Sequence, residues 1–253
     1  MMDSEKMTPL DLLESHRYAE AAAAYADYSK KGDPVHGAPG GYAKACLCLG
    51  RLEEAVTYFR LANKRASEKL KGETQPYLAL IGTAEWLLGR RAEAIRTLTQ
   101  SVDGVLDGSI GYGDQAGGVE QGVLLWYAGV TAQDMAASEH ALKYLRKLAG
   151  KSRIQYWPGP LALFALGERS EEEVLKEACG VGQLDAAAEE AHKNLLKRRH
   201  LVNSLFYFGV RQRVNGCEEQ CRQWMRRCFA LENPIVECEW YLARGEVAAA
   251  GER

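Results

Sequence analysis

Apolar positions along this chain recur with the spacing of helices and nowhere alternate as a strand would require. The stretch Gly50–Ala62 sets the pattern. A glycine is followed five residues later by Ala55, then by Phe59 and Ala62, and the last three share one face of a 3.6-residue helix. Small residues let a neighbouring helix approach closely, the aromatic fills the space beside them, and the glycine lets the chain turn between antiparallel helices. The same spacing returns as Tyr18, Ala21, Tyr25, Tyr28; as Gly89, Ala94, Leu98, Ser101; as Ala136, Ala141, Leu145, Leu148; and as Gly216, Cys221, Met225, Cys228. A weaker copy runs Gly167, Glu171, Leu175, Ala178. Seven positions before three of the turns stand Gly82, Gly129 and Gly209.

The pattern predicts a helix from Thr8-Pro9 to about Lys30, with Thr as cap and Pro in the first turn, and a loop over Gly32–Gly41. Helical pairs follow over about 42–71 and 75–103, then a glycine-rich loop over 103–118. Helices resume from Val119 to Leu148, over 161–178 and over 185–232, and Asn233-Pro234 opens a last helix to about Ala249. That terminal helix is expected to cover the open end of a stack.

Ala21 and Ala55 stand 34 residues apart, and the recurrence resembles the tetratricopeptide repeat (TPR), a helix–turn–helix unit of that length. The resemblance implies an all-α, TPR-like α-solenoid of five or six irregular helix pairs over residues 1–253, without catalysis, whose first helices line a concave protein-binding surface. Carrying the repeat register over places Lys44, Thr83, Trp86, Trp126, Gln133, Asn203, Phe206 and Arg213 on that surface, together with Ala79, Val123 and Val130, which core packing accounts for. Trp86, Trp126 and Arg213 are the expected anchors, because aromatic and Arg side chains dominate interfaces.

A second resemblance lies in the last hundred residues. Trp157–Leu175, Leu205-Phe-Tyr-Phe-Gly209 and Trp240-Tyr-Leu-Ala-Arg244 are similar to the C-terminal half of bacterial TPR lipoproteins of the NlpI type. That resemblance implies an adaptor that holds enzymes or proteases together. Soluble relatives with such a tail include immunity proteins that neutralise a cognate toxin. The N-terminal residues carry no apolar signal core and no lipid-attachment cysteine, and no stretch is apolar enough to span a membrane. The expectation is a cytoplasmic protein with a protein partner, a cognate toxin foremost.

Composition narrows the chemistry little. Of 253 residues 47% are hydrophobic and 26% charged, ordinary for a folded protein, and the net charge of −2 favours no class of partner. Seven cysteines without framework spacing point to free thiols in a reducing compartment. Cys217, Cys221 and Cys228 share a helix face and suit a soft metal, but Cys221 and Cys228 fall on small-residue packing positions, so packing is preferred. Cys46 and Cys48 lack the C-x-x-C spacing of redox and zinc motifs. The loop Asp107–Asp114 is rich in glycine but lacks the Gly-Lys-Ser/Thr ending of a phosphate cradle. It reads instead as a connector, with Tyr112 as a candidate partner contact. None of His16, His36, His140, His192 and His200 stands at nucleophile spacing, and Glu171–Glu173 reads as a solvated helix start. No catalytic residue, cofactor or metal is expected.

Charge is uneven. Lys193–Arg227 carries a local +7, and Glu168–Glu190 a local −6. The basic block with Phe206, Tyr207, Phe208 and Trp224 offers a nucleic-acid reading, but those aromatics fall where the helices need core, and the acidic segment is available to pair with the block. A solvated face or an acidic protein partner is preferred to nucleic acid.

Overall fold

A computed structural model describes residues 7–32, 39–70, 77–180, 190–235 and 237–251. His36, and most of the loop predicted over Gly32–Gly41, lie outside the described residues. Among the described residues there are thirteen α-helices and no strand. Twelve of them form antiparallel neighbours in pairs: α1 (Pro9–Glu14) with α2 (Tyr18–Lys30), α3 (Pro39–Cys48) with α4 (Leu52–Leu70), α5 (Leu78–Leu87) with α6 (Arg91–Asp107), α7 (Val119–Ala132) with α8 (Met135–Ala149), α9 (Gly159–Leu166) with α10 (Glu171–Cys179), and α11 (Glu190–Val214) with α12 (Glu218–Phe229). The thirteenth, α13 (Cys238–Ala249), has no pair. This arrangement is compatible with a helical repeat.

The first helix of every pair ends in the same turn. His16, Gly50, Gly89, Gln133, Gly167 and Gly216 all have left-handed backbone, with φ between 56° and 80°. At each, the N–H bonds a carbonyl three residues back and the next N–H bonds one five residues back, as in Gly50 to Leu47 and Arg51 to Cys46. Glycine adopts this backbone without steric cost, which explains the visible copies. His16 and Gln133 adopt it without glycine. The middle turn therefore lies at Gln133, three residues before the expected Ala136, and Asp134 caps α8 by accepting from the Ala137 N–H at 3.0 Å. At Gly167 the second helix starts later, because Ser170 and Glu173 form a reciprocal cap, so Val174 and Ala178 face the core in place of Glu171.

Ala55, Phe59, Ala94, Leu98, Cys221, Met225 and Cys228 are buried, as the small–aromatic–small spacing predicts. Gly129 lets α7 and α8 meet closely, since a Cβ there would sit 2.5 Å from the Ser138 nitrogen. One hydrophobic cluster draws on all six pairs and on α13. Four boundaries differ from expectation. The helix predicted from Thr8-Pro9 to about Lys30 breaks at Ser15–Arg17, where left-handed His16 separates α1 from α2, and α3 starts at Pro39, inside the loop predicted over Gly32–Gly41. Helix α6 runs on to Asp107, into the predicted loop, and α13 begins at Cys238, not at Asn233-Pro234. The Asn233 side chain instead accepts from the Ile235 N–H and donates to Tyr18 and Tyr241.

The position of α13 departs most from expectation. It packs on α12 and also crosses the first helices of earlier pairs, against α5 and α11. Cys48 at the end of α3 bonds the Tyr241 hydroxyl at 3.0 Å, Leu87 of α5 abuts Gly245, and the Tyr127 hydroxyl of α7 donates to Glu246 at 2.8 Å. The terminal helix thus fills the inner face that the repeat register assigned to a partner. Helix α5 demands such a cover, since Leu78–Trp86 is buried on every side, while α7, buried over most of Val119–Gly129, is closed by α9 and α11.

Candidate functional site

Of the residues expected to line a concave surface, the aromatic ones are inside the protein. Trp86 is buried against Tyr127, ring centroids 5.2 Å apart, beneath the Arg91 guanidinium at 3.8 Å. Trp126 is buried near Tyr207, with Arg211 5.4 Å from its ring, and Phe206 packs on Tyr127 at 4.8 Å. Thr83 and Asn203 are buried as well. These five side chains are therefore not exposed, because α13 and the neighbouring first helices cover the face they occupy. Phe206, Tyr207 and Phe208 are closed to base stacking for the same reason.

Beneath the start of α13 lies a seam of charge, buried at Glu239 and half-buried around it. Glu237 accepts from Arg199 and, at 3.0 Å, from the Asn203 amide, whose oxygen accepts from the Trp157 indole at 3.3 Å. Glu239 accepts from the Tyr207 hydroxyl at 2.9 Å. Burial raises the Glu239 carboxyl above the usual carboxylate range, with the Glu237 charge adding to it. Half-buried Glu120, at the start of α7, is pushed up to about 8 by burial and then by Glu239, Glu237 and Asp114, with Arg199 opposing. Lys44 of α3, also half-buried, is held below the usual lysine range by burial and by Arg199. Among the described residues no cluster of three or more His, Cys, Asp or Glu side chains has a geometry for a metal ion.

Two further expected residues, Gln133 at the cap of α7 and Arg213 of α11, lie at the open end of the α7–α8 and α11–α12 turns. They line a cleft of about 610 Å³ with Gly129, Val130, Thr131, Met135, Ser138, Glu139, Val214 and Glu218. Met135 is 78% exposed and Val214 47%. The Arg213 guanidinium forms the inner wall. It donates to Thr131 Oγ1 at 2.9 Å, to both oxygens of Glu246 and to both of Glu218, and these carboxylates hold it charged by outweighing its burial. Glu218 is kept below the usual carboxylate range by its bonds from Arg213. Met135, Glu139, Val214 and Glu218 fall outside the positions that the repeat register assigns to a partner. The available signal was a methionine and a valine standing at helix turns, where polar residues are the rule.

Tyr112 is 38% exposed, but its loop is fastened down. Arg153 donates to its hydroxyl at 2.8 Å, Asp114 accepts from the Gly118 and Glu120 N–H groups, and the Tyr144 hydroxyl bonds the Gly118 carbonyl. The basic block finds its carboxylates chiefly after Val214: Arg198 with Glu232, Arg199 with Glu237, Arg213 with Glu218 and Glu246, and Arg222 and Arg226 with Glu219. From the acidic segment, Glu171 accepts from Gln212 at 3.2 Å, and Glu177 pairs with Arg169. Cys221 and Cys228 are buried packing residues, while Cys217 is half-exposed and points to the Asn215 carbonyl. No helix among the described residues is long and apolar enough to cross a membrane. No protein-family model, no curated protein and no solved structure matches this chain.

Proposed function

We propose that this protein is a non-enzymatic, TPR-like scaffold that binds another protein, acting in the bacterial cytoplasm as a stoichiometric inhibitor of the immunity-protein kind. One observation carries the reading. The inner face is taken by α13, whereas the cleft at the α7–α8 and α11–α12 turns is left open and bears Met135 and Val214 beside Gln133 and Arg213. Apolar side chains exposed together along one cleft form a patch, and such patches mark contact surfaces where singly exposed ones do not. The partner is thus met by the turn edge of the stack, with Arg213 acting as a wall braced from behind.

Affinity capture with the full chain, followed by titration of the captured protein's activity, tests this. An inhibitor gives loss of activity that saturates near one chain per target. Several unrelated partners with unchanged activities would establish an adaptor in its place, and turnover of a small molecule by the purified chain would end the non-enzymatic reading.

A further inference from the structure

The chemistry of the cleft selects among protein partners, and this step rests on the scaffold reading above. Arg213 brings one positive charge to the cleft, and Glu246 and Glu218 each grip it through two hydrogen bonds. Its charge is therefore matched before any partner arrives. Glu218, held ionised by that contact, remains half-exposed at the rim. Glu139, exposed on the opposite lip, pairs with no cation among the described residues. The lining so carries a surplus of negative charge around an apolar strip of Val130, Met135 and Val214. A volume of about 610 Å³ is enough for two or three side chains but not for a folded element.

We infer that the cleft receives a lysine- or arginine-bearing apolar segment of a partner protein, with an apolar side chain against Met135 and Val214 and a cation beside Glu139 and Glu218. Methionine suits such a contact, since its unbranched thioether adapts to the shape it meets. An acidic segment meets like charge here, and a purely polar one leaves Met135 uncovered.

Three labelled peptides of equal length test the inference by fluorescence anisotropy with the full-length protein: one of lysine and leucine, one with glutamate in place of lysine, and one with serine in place of leucine. The lysine–leucine peptide should bind saturably and the other two at least tenfold more weakly. Glu139→Gln, which breaks no contact among the described residues, and Met135→Ser should each weaken binding at least threefold, and Glu139→Gln with Glu218→Gln at least tenfold. Glu172→Gln, exposed on α10, should leave it unchanged. Equal binding of the glutamate–leucine peptide, or full binding by the cleft variants, overturns the inference. Self-association of the parent that Met135→Ser abolishes also overturns it, by making a second copy the occupant. The scaffold reading has its own readout, the one-to-one titration, and survives any of these results.

Discussion

Arg213 on α11 and Glu246 on α13 form a two-pronged ion pair, Nη1 to Oε1 and Nη2 to Oε2, both at 3.0 Å. The pair fixes the far end of α13 to the inner layer, and the Tyr127 hydroxyl bonds the same carboxylate. Glu218 holds the guanidinium from the other side.

Arg213→Ala should therefore loosen α13 before it affects any partner. Hydrogen bonds to charged groups contribute about 1.5–3 kcal/mol, and the loss should fall in that range because the pair is partly open to water. Chemical denaturation measures it. Glu246→Gln should cost less, since it retains an acceptor, and an Arg213→Ala variant as stable as the parent would show that α13 is held by other means.

Trp86→Ala and Trp126→Ala should act on folding. Removing a buried tryptophan typically costs about 3–5 kcal/mol. Both variants should melt well below the parent in calorimetry. Unchanged melting with lost partner binding would return these residues to an exposed surface.

Stability should fall as pH rises from about 6.5 to 8. In the folded chain Glu120 keeps its proton up to about 8 and Glu239 is raised in the same direction, whereas in the unfolded chain both lose it near the ordinary 4.5. The folded state thus binds more protons in this window, and raising the pH favours unfolding. The slope should stay under the limit of ~1.4 kcal/mol per pH unit for one proton, since Glu120 is half-buried. His200 runs the other way. Burial lowers it to about 4 from an ordinary 6.5, so its contribution is present above 6.5 and is lost as pH falls toward 4. The two effects offset between about 4.5 and 6.5. Urea midpoints at pH 6.5 and 8 check this, and Glu120→Gln, which imitates the protonated form, should flatten the difference.

Thiol reagents should discriminate among the seven cysteines. Exposed Cys179 should react first and half-exposed Cys217 next. Cys46, Cys48, Cys221, Cys228 and Cys238 should react only on unfolding, being buried and with thiol ionisation pushed up by burial, Cys221 to about 12. Mass spectrometry after brief alkylation reads the order. Early labelling of Cys221 or Cys228 would mean that the α11–α12 interface opens readily.

The helical architecture was legible because it is written locally. Gly50, Gly89 and Gly216 end their helices in the backbone that glycine favours, and the small residues five positions on are buried. The turn at Gln133 was hidden because a non-glycine residue takes the same conformation, which displaced that copy by three residues. Trp86, Trp126, Phe206, Thr83 and Asn203 are buried where the register expected exposure, for a different reason. Repeat register states which side of a helix faces inward, but not what lies there, and α13 reaches that side through contacts such as Cys48–Tyr241, 193 residues apart. The sequence did hold a warning. Leu78–Trp86 is apolar nearly all round, as a helix covered on both sides must be.

That last contact also bears on how the chain reaches its folded state. Stacked helix pairs that touch only their neighbours can nucleate anywhere and fray from either end. Here Tyr18 of α2 meets Asn233, and Cys48 of α3 meets Tyr241 of α13, so early and late helices are secured by one junction. Such long sequence separations raise the contact order, and closing so large a loop slows folding relative to a chain of purely local helices. The array should consequently lose its helicity and its tryptophan environments in one coincident transition, with no terminal pair melting ahead of the rest.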